Sequence, residues 1–325
     1  MKRPLISFVV PMKEKDFRVV KLLESIRNQN YPQDKIEIII IDGGSEKKVI
    51  EKAKEYGVKV FYNKKGLAEG YGMGKDQGIW KSKGKYVVIA ESDIRLIGKD
   101  WINEMIRPLE KDDTYFGSVP LLYINKKDNI TNRYLSYVGV DPFVVFRSLE
   151  GKLALRKLKS EDKKYWYEVE IPKNEPYCMG SNGFMFRRSL IKEVGDYGQD
   201  VEFIAKLVKH NYTKFAIPKD ARVYHENVKG IFEFLKKRKN WIKNYSLFYA
   251  SQKKNFVWIT SKPKFIVYIF KNLLIFPNFW DGIRACFKNR DPVLLLHPFY
   301  MFVTTLIYLL YGIKSKTIWK QVIGK

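Results

Sequence analysis

Short apolar runs alternate with helix-like amphipathic stretches through the first third of the 325-residue chain. LISFVV is closed by Pro11, IEIIII is closed by DGGS, and VKVFY and KYVVIA follow further along. Between these runs, apolar residues recur three or four positions apart, as in 16–29, 46–56 and 98–110. Such runs predict buried strands, and strands that alternate with helices predict an α/β fold with a mostly parallel sheet.

Chemically distinctive residues follow three of the predicted strands at the point where each strand ends. They are Pro11 after the first strand, Asp42 after the second, and Glu91 with Asp93 after KYVVIA. In parallel sheets, ligands bind in the crevice beyond the carboxyl ends of the strands. We therefore expect these four residues to line one crevice.

Glu91 and Asp93 place two carboxylates two positions apart after a buried strand, where they repel one another unless a cation lies between them. A turn lets both side chains converge. Carboxylate oxygens suit Mg²⁺ or Mn²⁺, whose remaining ligands are often substrate phosphates. The pair therefore indicates a divalent metal that holds a diphosphate. A solvated turn is the alternative interpretation of the pair taken alone.

The character of the chain changes twice after its first third. Residues 125–176 are polar and lack clear periodicity, and we expect an irregular segment that covers a substrate. Order returns before a predicted helix at 200–210, and from residue 229 the chain is basic and apolar. The predicted divisions are a catalytic domain at 1–228, with a donor half at about 1–124 and an acceptor half at about 125–228, and a helical membrane-associated region at 229–325.

The charge of the chain is strongly positive and unevenly spread. The formal net charge is +25, and the segment from residue 229 to the end holds 18 Lys or Arg against 3 Asp or Glu. A basic block of this kind attracts nucleic acid, anionic lipid headgroups or phosphorylated substrates. Because the charge lies beside apolar segments, we favour a membrane surface and expect no nucleic-acid partner. A nucleic-acid-binding protein is the alternative.

Residues 293–313 form an apolar run of 21 positions without Asp, Glu, Lys or Arg, and a spanning helix needs about 20. The less apolar 264–280 carries Lys271. Basic residues flank both outer ends of the two segments, which favours a hairpin or an in-plane arrangement over one span. A buried core helix is the alternative. We predict contact with membrane lipids, with the catalytic domain in the cytoplasm.

Five motifs occur in a recognisable order: FVVPMKEKD, IIIIDGGS, NKKGLAEGYGMGKDQGIWKSKGKYVVIAESD, CMGSNGFMFRRSLIKEVGDYGQD and ARVYHE. Their order over about residues 4–226 resembles the family 2 glycosyltransferases, inverting enzymes with the Rossmann-like GT-A fold. The first three resemble the family's opening strand with its proline, its base-binding aspartate, and its glycine–leucine segment, Arg-Asn-x-Gly-like turn and Asp-x-Asp strand end. The last two resemble its acceptor loop with the Glu-Asp pair, and its late histidine.

The resemblance implies a role for each matching position. The implied donor-binding residues are Pro11, Glu14, Asp42, Gly66, Lys75, Glu91 and Asp93. The implied metal ligands are Asp93, Glu91 and His225, with Mn²⁺ or Mg²⁺ as the cofactor. The implied acceptor-binding residues are Gly180, Ser181, Asn182 and Gly183, and the implied catalytic base is Asp200.

Three positions depart from the family's pattern. Glu91 stands where the family has aspartate, Lys75-Asp76 where Arg-Asn is usual, and Gln199 where a glutamate precedes the catalytic aspartate. Four assigned residues also have ordinary structural interpretations. Asp42 and Asp200 suit helix starts, Lys75 suits solvent, and His225 suits packing at a strand end.

The implied reaction takes a sugar from a nucleoside-diphosphate sugar, and UDP is preferred because Asp42 can accept a hydrogen bond from a uracil N–H. Asp200 would accept the proton of an acceptor hydroxyl as that oxygen attacks from the face opposite the diphosphate. A phosphate acceptor needs no base, so we expect the acceptor to be a hydroxyl of a lipid-linked glycan. A polyprenyl-phosphate sugar synthase is the alternative. A nucleotidyltransferase is disfavoured because PMKEKDF lacks a glycine-rich loop.

Overall fold

The computed structural model describes residues 3–63, 73–156, 158–175, 177–244, 255–256, 261–312 and 315. The chain forms two compact units. The first unit comprises Met1–Tyr123 and Lys159–His225, and the second comprises Ile124–Leu158 and Glu226–Lys325. The functional division into donor and acceptor halves stays a prediction.

The described residues of the first unit form twelve strands and six helices. The strands are β1 (Ile6–Met12), β2 (Ile36–Asp42), β3 (Lys59–Tyr62), β4 (Tyr86–Ile89), β5 (Ile94–Ile97), β6 (Gly117–Ser118), β7 (Leu121–Leu122), β8 (Glu161–Asp162), β9 (Trp166–Glu170), β10 (Met185–Arg187), β11 (Lys214–Pro218) and β12 (Arg222–His225). Its helices are α1 (Arg18–Arg27), α2 (Lys47–Lys54), α3 (Met73–Lys81), α4 (Trp101–Lys111), α7 (Leu190–Val194) and α8 (Asp200–Lys209).

Nine strands form one mixed sheet in the order β3-β2-β1-β4-β10-β6-β11-β9-β8. The first four are parallel, and β10 runs antiparallel to both of its neighbours. Strands β5, β12 and β7 form a separate small sheet. The predicted α/β fold with a largely parallel sheet is confirmed. Because the chain moves from β1 outward to β3 and then back to β4, the crevice beyond β1 and β4 is a topological switch point.

The helix pattern read from the sequence explains how the sheet is covered. In α1, the buried residues Val19, Leu22, Leu23 and Ile26 recur at intervals of three or four positions. They join the β1 and β2 side chains in one core cluster. Each large apolar side chain that is fully buried stabilises the fold by about 1.5–3 kcal/mol. This packing fixes the strands whose ends form the crevice.

The second unit is helical over its described residues. Its helices are α5 (Ile130–Val138), α6 (Leu149–Leu155), α9 (Ile231–Asn244), α10 (Lys262–Leu273), α11 (Phe276–Asn289) and α12 (His297–Gly312). Their core includes Tyr134 and Leu135 from α5 together with Leu294, Tyr300 and Met301. The expected irregular segment at 125–176 therefore contains two helices of this unit and two strands of the large sheet. Their short lengths explain why periodicity did not indicate them.

The apolar segment at 264–280 is interrupted between α10 and α11. Ile275 has a φ of 60°, and Pro277 is among the first residues of α11, where a missing backbone N–H costs no helical hydrogen bond. One helical stretch among the described residues, Pro292–Gly312, is long and apolar enough to cross a membrane, and half of it is buried within the protein. Length and composition alone are weak support for a span, because a core helix meets the same criterion.

Candidate active site

The carboxyl ends of β1, β2 and β3 lie level with one another. Met12 of β1 pairs with Asp42 of β2, and Asp42 pairs with Tyr62 of β3. The chain leaves β4 at Ile89 and turns through Glu91 and the residues after it. The predicted clustering of the strand-end residues at one edge of the sheet therefore follows from the register.

Glu14 connects the end of β1 to the turn after β4. One of its carboxylate oxygens accepts a hydrogen bond from the Ser92 hydroxyl, and the other lies 3.2 Å from the Arg18 guanidinium. Its backbone N–H donates to the Ser45 hydroxyl at 2.8 Å. Glu14 thus holds two strand ends and the β2–α2 turn together, whatever its contact with a donor.

Asp42 is buried, with 3% of its surface exposed, and its Oδ1 accepts a hydrogen bond from the Ser45 N–H at 2.9 Å. This contact closes the turn that precedes α2. One carboxylate oxygen of Asp42 therefore has the helix-start role, while binding of a nucleobase by Asp42 stays a prediction. Gly66 lies outside the described residues.

Pro11 lies inside β1, opposite Ile41, and packs beneath α3. A Cβ added to Gly74 would lie 3.1 Å from the Pro11 Cβ, so the helix backbone approaches the strand closely. A side chain at position 74 would push α3 away. The close approach of Gly74 to Pro11 therefore sets the distance between β1 and α3, the helix that carries Lys75.

Lys75 is buried between two carboxylates. Its Nζ lies 2.8 Å from Glu91 Oε1 and 2.8 Å from Asp200 Oδ1, and 7% of the Lys75 side chain is exposed. This is the opposite of the solvent-exposed interpretation. The ammonium bridges a residue that follows β4 to one that begins α8, and it partly neutralises both carboxylates.

The second oxygen of Glu91 also has a partner. Glu91 Oε2 accepts a hydrogen bond from the Asn182 N–H at 2.7 Å. Both oxygens of Glu91 therefore contact protein groups, and neither of these groups belongs to Asp93. This geometry differs from the expected sharing of one metal by Glu91 and Asp93.

The Gly180–Gly183 loop is attached to the end of β4. Gly183 N–H donates to Ile89 O at 2.8 Å. Gly180 has a φ of +115°, and a Cβ there would lie 3.1 Å from the Asp200 carbonyl oxygen. Since L side chains rarely adopt this conformation and the contact is already close, position 180 favours glycine. The structure thus brings the expected acceptor loop together with Glu91 and Asp200.

Asp200 is the first residue of α8, where the positive end of the helix dipole stabilises a carboxylate. The Tyr197 hydroxyl lies 2.8 Å from Asp200 Oδ1 and also contacts Gly180 O. Tyr197 and Lys75 therefore both contact Oδ1. These contacts orient the carboxylate of Asp200 toward the loop, which a simple helix-capping role would not require.

Asp76 supports the segment that precedes Asp200, and sequence reasoning gave it no role. Its carboxylate accepts hydrogen bonds from the backbone N–H groups of Tyr197 and Gly198, the latter at 3.1 Å. Burial raises the pKa of Asp76 to about 6. A signal was present, because Lys75-Asp76 occupies the Arg-Asn position of the resembled family.

Asp93 and His225 form a second cluster beside the crevice. His225 Nε2 lies 3.4 Å from Asp93 Oδ1, and 8% and 19% of their side chains are exposed. Strand β12 places His225 opposite Ile94, directly after the turn that carries Asp93. No group of three His, Cys, Asp or Glu suited to a metal occurs among the described residues. An imidazole and a carboxylate still fit a divalent ion whose other ligands come from substrate phosphates and water.

The family assignment follows from the fold and the ordered motifs together. The family model for glycosyl transferase family 2 matches residues 7–195, which include β1, β4, the acceptor loop and most of the Lys75 network. The chain therefore belongs to glycosyl transferase family 2, and its fold is GT-A. It is a transferase whose relatives use nucleotide-sugar donors.

Two curated relatives and one solved structure illustrate this similarity. The chain is 40% identical to glucosyl-3-phosphoglycerate synthase of Petrotoga mobilis over 78 residues, which span only 24% of that protein. It is 22% identical over 322 residues, 92% of each chain, to the dolichyl N-acetyl-α-D-glucosaminyl phosphate 3-β-D-2,3-diacetamido-2,3-dideoxy-β-D-glucuronosyltransferase of Methanococcus voltae. The mannosyltransferase PcManGT of Pyrobaculum calidifontis, solved with GDP-Man and Mn²⁺, has a TM-score of 0.55 at 13% identity, covering 96% of this chain and 88% of that one.

Proposed function

We propose that the protein transfers a sugar, with inversion, from a nucleoside-diphosphate sugar to a hydroxyl of a lipid-linked glycan at the cytosolic face of a membrane. The observation that carries this proposal is the Lys75 bridge between Glu91 and Asp200, because it joins the strand-end crevice to the acceptor loop. Family membership supports the reaction class. UDP is the preferred nucleotide, and Asp42 is the residue assigned to bind its uracil ring.

Asp200 is assigned as the general base. Since Lys75 and Tyr197 both contact Oδ1, we assign Oδ2 to the acceptor hydroxyl. Oδ2 would accept the hydroxyl proton while the hydroxyl oxygen attacks the anomeric carbon from the side opposite the diphosphate. Attack from the side opposite the diphosphate inverts the anomeric configuration. Tyr197 and Asp76 hold the general base in place.

Glu91 and Lys75 receive different roles from those the resemblance implies. Glu91 contacts Lys75 and the Asn182 N–H, so we assign it to positioning of the base and the acceptor loop. Lys75 is enclosed by two carboxylates, and we assign it to the orientation of Asp200 in preference to a diphosphate contact. Both assignments rest on the short contacts made by two buried side chains, Lys75 and Glu91.

Asp93 and His225 would hold Mn²⁺ or Mg²⁺. When bound, the metal would supply Lewis-acid stabilisation of the departing nucleoside diphosphate. Asp93 contributes a carboxylate oxygen and His225 a ring nitrogen, while Ser92 keeps the turn attached to Glu14. The P. calidifontis structure is named with Mn²⁺, and for this chain the proposal keeps both Mn²⁺ and Mg²⁺.

The acceptor is the part of the proposal with a specific competitor. The M. voltae relative is named for transfer to a sugar on dolichyl phosphate, and it aligns with 92% of this chain. That name favours a sugar hydroxyl on a lipid carrier. A polyprenyl-phosphate sugar synthase is the alternative, since a phosphate acceptor is already an anion and would not need Asp200. A non-catalytic polyanion-binding role is disfavoured by membership of a transferase family.

A pair of acceptors and a pair of variants separate these possibilities. The acceptors are dolichyl-phosphate-linked N-acetylglucosamine and dolichyl phosphate itself. Asp200→Asn should keep donor binding but lower turnover with the sugar-bearing acceptor by about a hundredfold or more, the usual scale of general-base loss. Glu202→Gln, two positions further along α8, is the matched control and should retain turnover. Undiminished turnover of Asp200→Asn with dolichyl phosphate would instead support the synthase.

A further inference from the structure

Exposed apolar side chains are concentrated in one part of the second unit. Of 22 exposed large hydrophobic residues in the described chain, 14 lie between residues 261 and 312. Eight of them form what we call the α10–α11 apolar face: Ile266, Val267, Phe270, Leu274, Ile275, Phe276, Phe279 and Trp280. Soluble monomers rarely expose large contiguous apolar patches without a partner.

The spacing of these residues places them on one side of each helix. Ile266 and Phe270 are four positions apart on α10, and Phe276 and Trp280 are four apart on α11. Leu274 and Ile275 occupy the connection between the helices, where 67% and 45% of their surfaces are exposed. The face therefore continues from one helix through the turn into the next.

Basic residues border this face at both ends. Lys262 and Lys264 are exposed at the start of α10, and Arg284, Lys288 and Arg290 are exposed toward the end of α11. The acidic residue within α11, Asp281, lies 3.0 Å from Lys271 Nζ and is thereby neutralised. An apolar surface bordered by cations complements a bilayer with anionic headgroups, where both kinds of group are satisfied.

The helix long enough to span a membrane is attached to polar groups inside the second unit. Tyr308 hydrogen-bonds to Asp141, which lies 3.1 Å from the Arg238 guanidinium. Thr305 Oγ1 accepts from Asn272 at 3.1 Å. If α12 crossed a bilayer, it would have to leave these partners or carry a buried ion pair into hydrocarbon, which is costly. Helix α12 therefore supports α10 and α11 from within the unit.

We propose that the second unit docks on an anionic lipid bilayer by inserting the α10–α11 apolar face into the headgroup region, with α12 keeping its polar contacts within the unit. The proposal rests on the membrane location proposed above and deepens it by naming the lipid class and the contacting residues. The helices lie in the plane of the interface, and Lys262 and Lys264 contact the headgroups.

The test is flotation of the full-length protein with two kinds of vesicle, pure phosphatidylcholine and the same lipid with about 30% phosphatidylglycerol. Wild type should float with the anionic vesicles. Phe270→Glu combined with Trp280→Glu should lower the partition coefficient by about tenfold or more per residue, given what burial of a large apolar side chain contributes. Tyr165→Glu, at a 46% exposed aromatic residue of the first unit, is the matched control and should bind as wild type.

The basic residues are tested by Lys262→Gln with Lys264→Gln, which should weaken anionic-vesicle binding by about fivefold for each charge and should leave the neutral-vesicle baseline unchanged. Circular dichroism checks that the variants remain folded.

Absence of vesicle binding by wild type would overturn the proposal. Equal losses of binding in the Tyr165→Glu control would also overturn it. Wild type that stays in the membrane at high salt and high pH would indicate a span instead. Loss of a dimer with unchanged vesicle binding would identify a self-association surface. Donor hydrolysis by wild type without vesicles tests the proposed reaction separately.

Discussion

Replacing Lys75 by methionine tests whether the bridge between Glu91 and Asp200 holds the active site together. Methionine keeps the length and apolar stem of the side chain but removes its charge. The variant would leave two carboxylates without the ammonium that lies 2.8 Å from each. Glu91 would keep its bond to the Asn182 N–H, so the charge imbalance is the main change.

The magnitude follows from how much water reaches each partner. Removal of one partner from a buried ion pair costs about 3–5 kcal/mol. The Glu91 side chain is 10% exposed and belongs to that range, whereas Asp200 is 30% exposed and water can replace part of its lost contact. We therefore expect Lys75→Met to lower the free energy of unfolding by about 3 kcal/mol. Adding Glu91→Gln should restore part of this loss, because the double variant leaves fewer unpaired charges.

The same variant should lower turnover through the position of the base. Lys75 Nζ lies 2.8 Å from Asp200 Oδ1, and loss of this contact leaves the carboxylate less well oriented toward the acceptor. We therefore expect kcat of Lys75→Met to fall by about tenfold or more while the donor KM stays unchanged. Urea unfolding measures the stability and steady-state kinetics measure kcat and KM, with Lys54→Met as an exposed-lysine control.

Two results would refute this reasoning. If Lys75→Met unfolds at the same urea concentration as wild type, the bridge does not hold the site together. If the stability falls but kcat stays unchanged, Lys75 stabilises the fold and does not position the base.

Three further substitutions address other parts of the site. Asp93→Asn should abolish metal-dependent donor hydrolysis, which excess chelator should also remove from wild type. Asp76→Asn should flatten the pH dependence of stability. A folded pKa of about 6 against an unfolded value of 3.8 means that wild-type stability falls as pH rises between them, by about 3 kcal/mol. Gly180→Ala should lower turnover by about tenfold or more and cost about 1–3 kcal/mol of stability, because position 180 has φ +115° beside Asp200.

The metal test has a control, and each of the three substitutions has a contrary result. Asp34→Asn, at an exposed carboxylate of the first unit, should leave hydrolysis and metal dependence unchanged. Full activity of Asp93→Asn would remove Asp93 from the metal site. A pH-stability profile of Asp76→Asn identical to that of wild type would contradict the burial of that carboxyl. Wild-type turnover in Gly180→Ala would show that the loop tolerates a side chain beside the base.

The strands, the order of the motifs and the crevice were predictable because they depend on local patterns. A run such as IEIIII is buried on both faces of a parallel sheet, and its carboxyl end is set by the polar residues that follow. The short strands β8 and β9 and the helices α5 and α6 were not indicated. Their lengths are too small for periodicity, and their positions are fixed by contacts with distant segments.

The roles of individual site residues depended on side-chain directions that spacing cannot give. Glu91 and Asp93 are two positions apart, and sequence reasoning let both converge on a metal. In the structure Glu91 contacts Lys75 and Asn182, which are 16 and 91 positions away. Asp76 was visible as part of an Arg-Asn-like pair, but its hydrogen bonds to Tyr197 and Gly198 depend on the fold.

The central claim is that this chain transfers sugars from nucleoside-diphosphate donors, and a donor screen tests it most directly. Purified protein would be incubated with UDP- and GDP-sugars in the presence of Mn²⁺, with released nucleoside diphosphate as the readout and Asp93→Asn as the control. The account predicts hydrolysis of a UDP-sugar that stops with chelator and in the variant. Absence of binding and hydrolysis for every UDP- and GDP-sugar would contradict it.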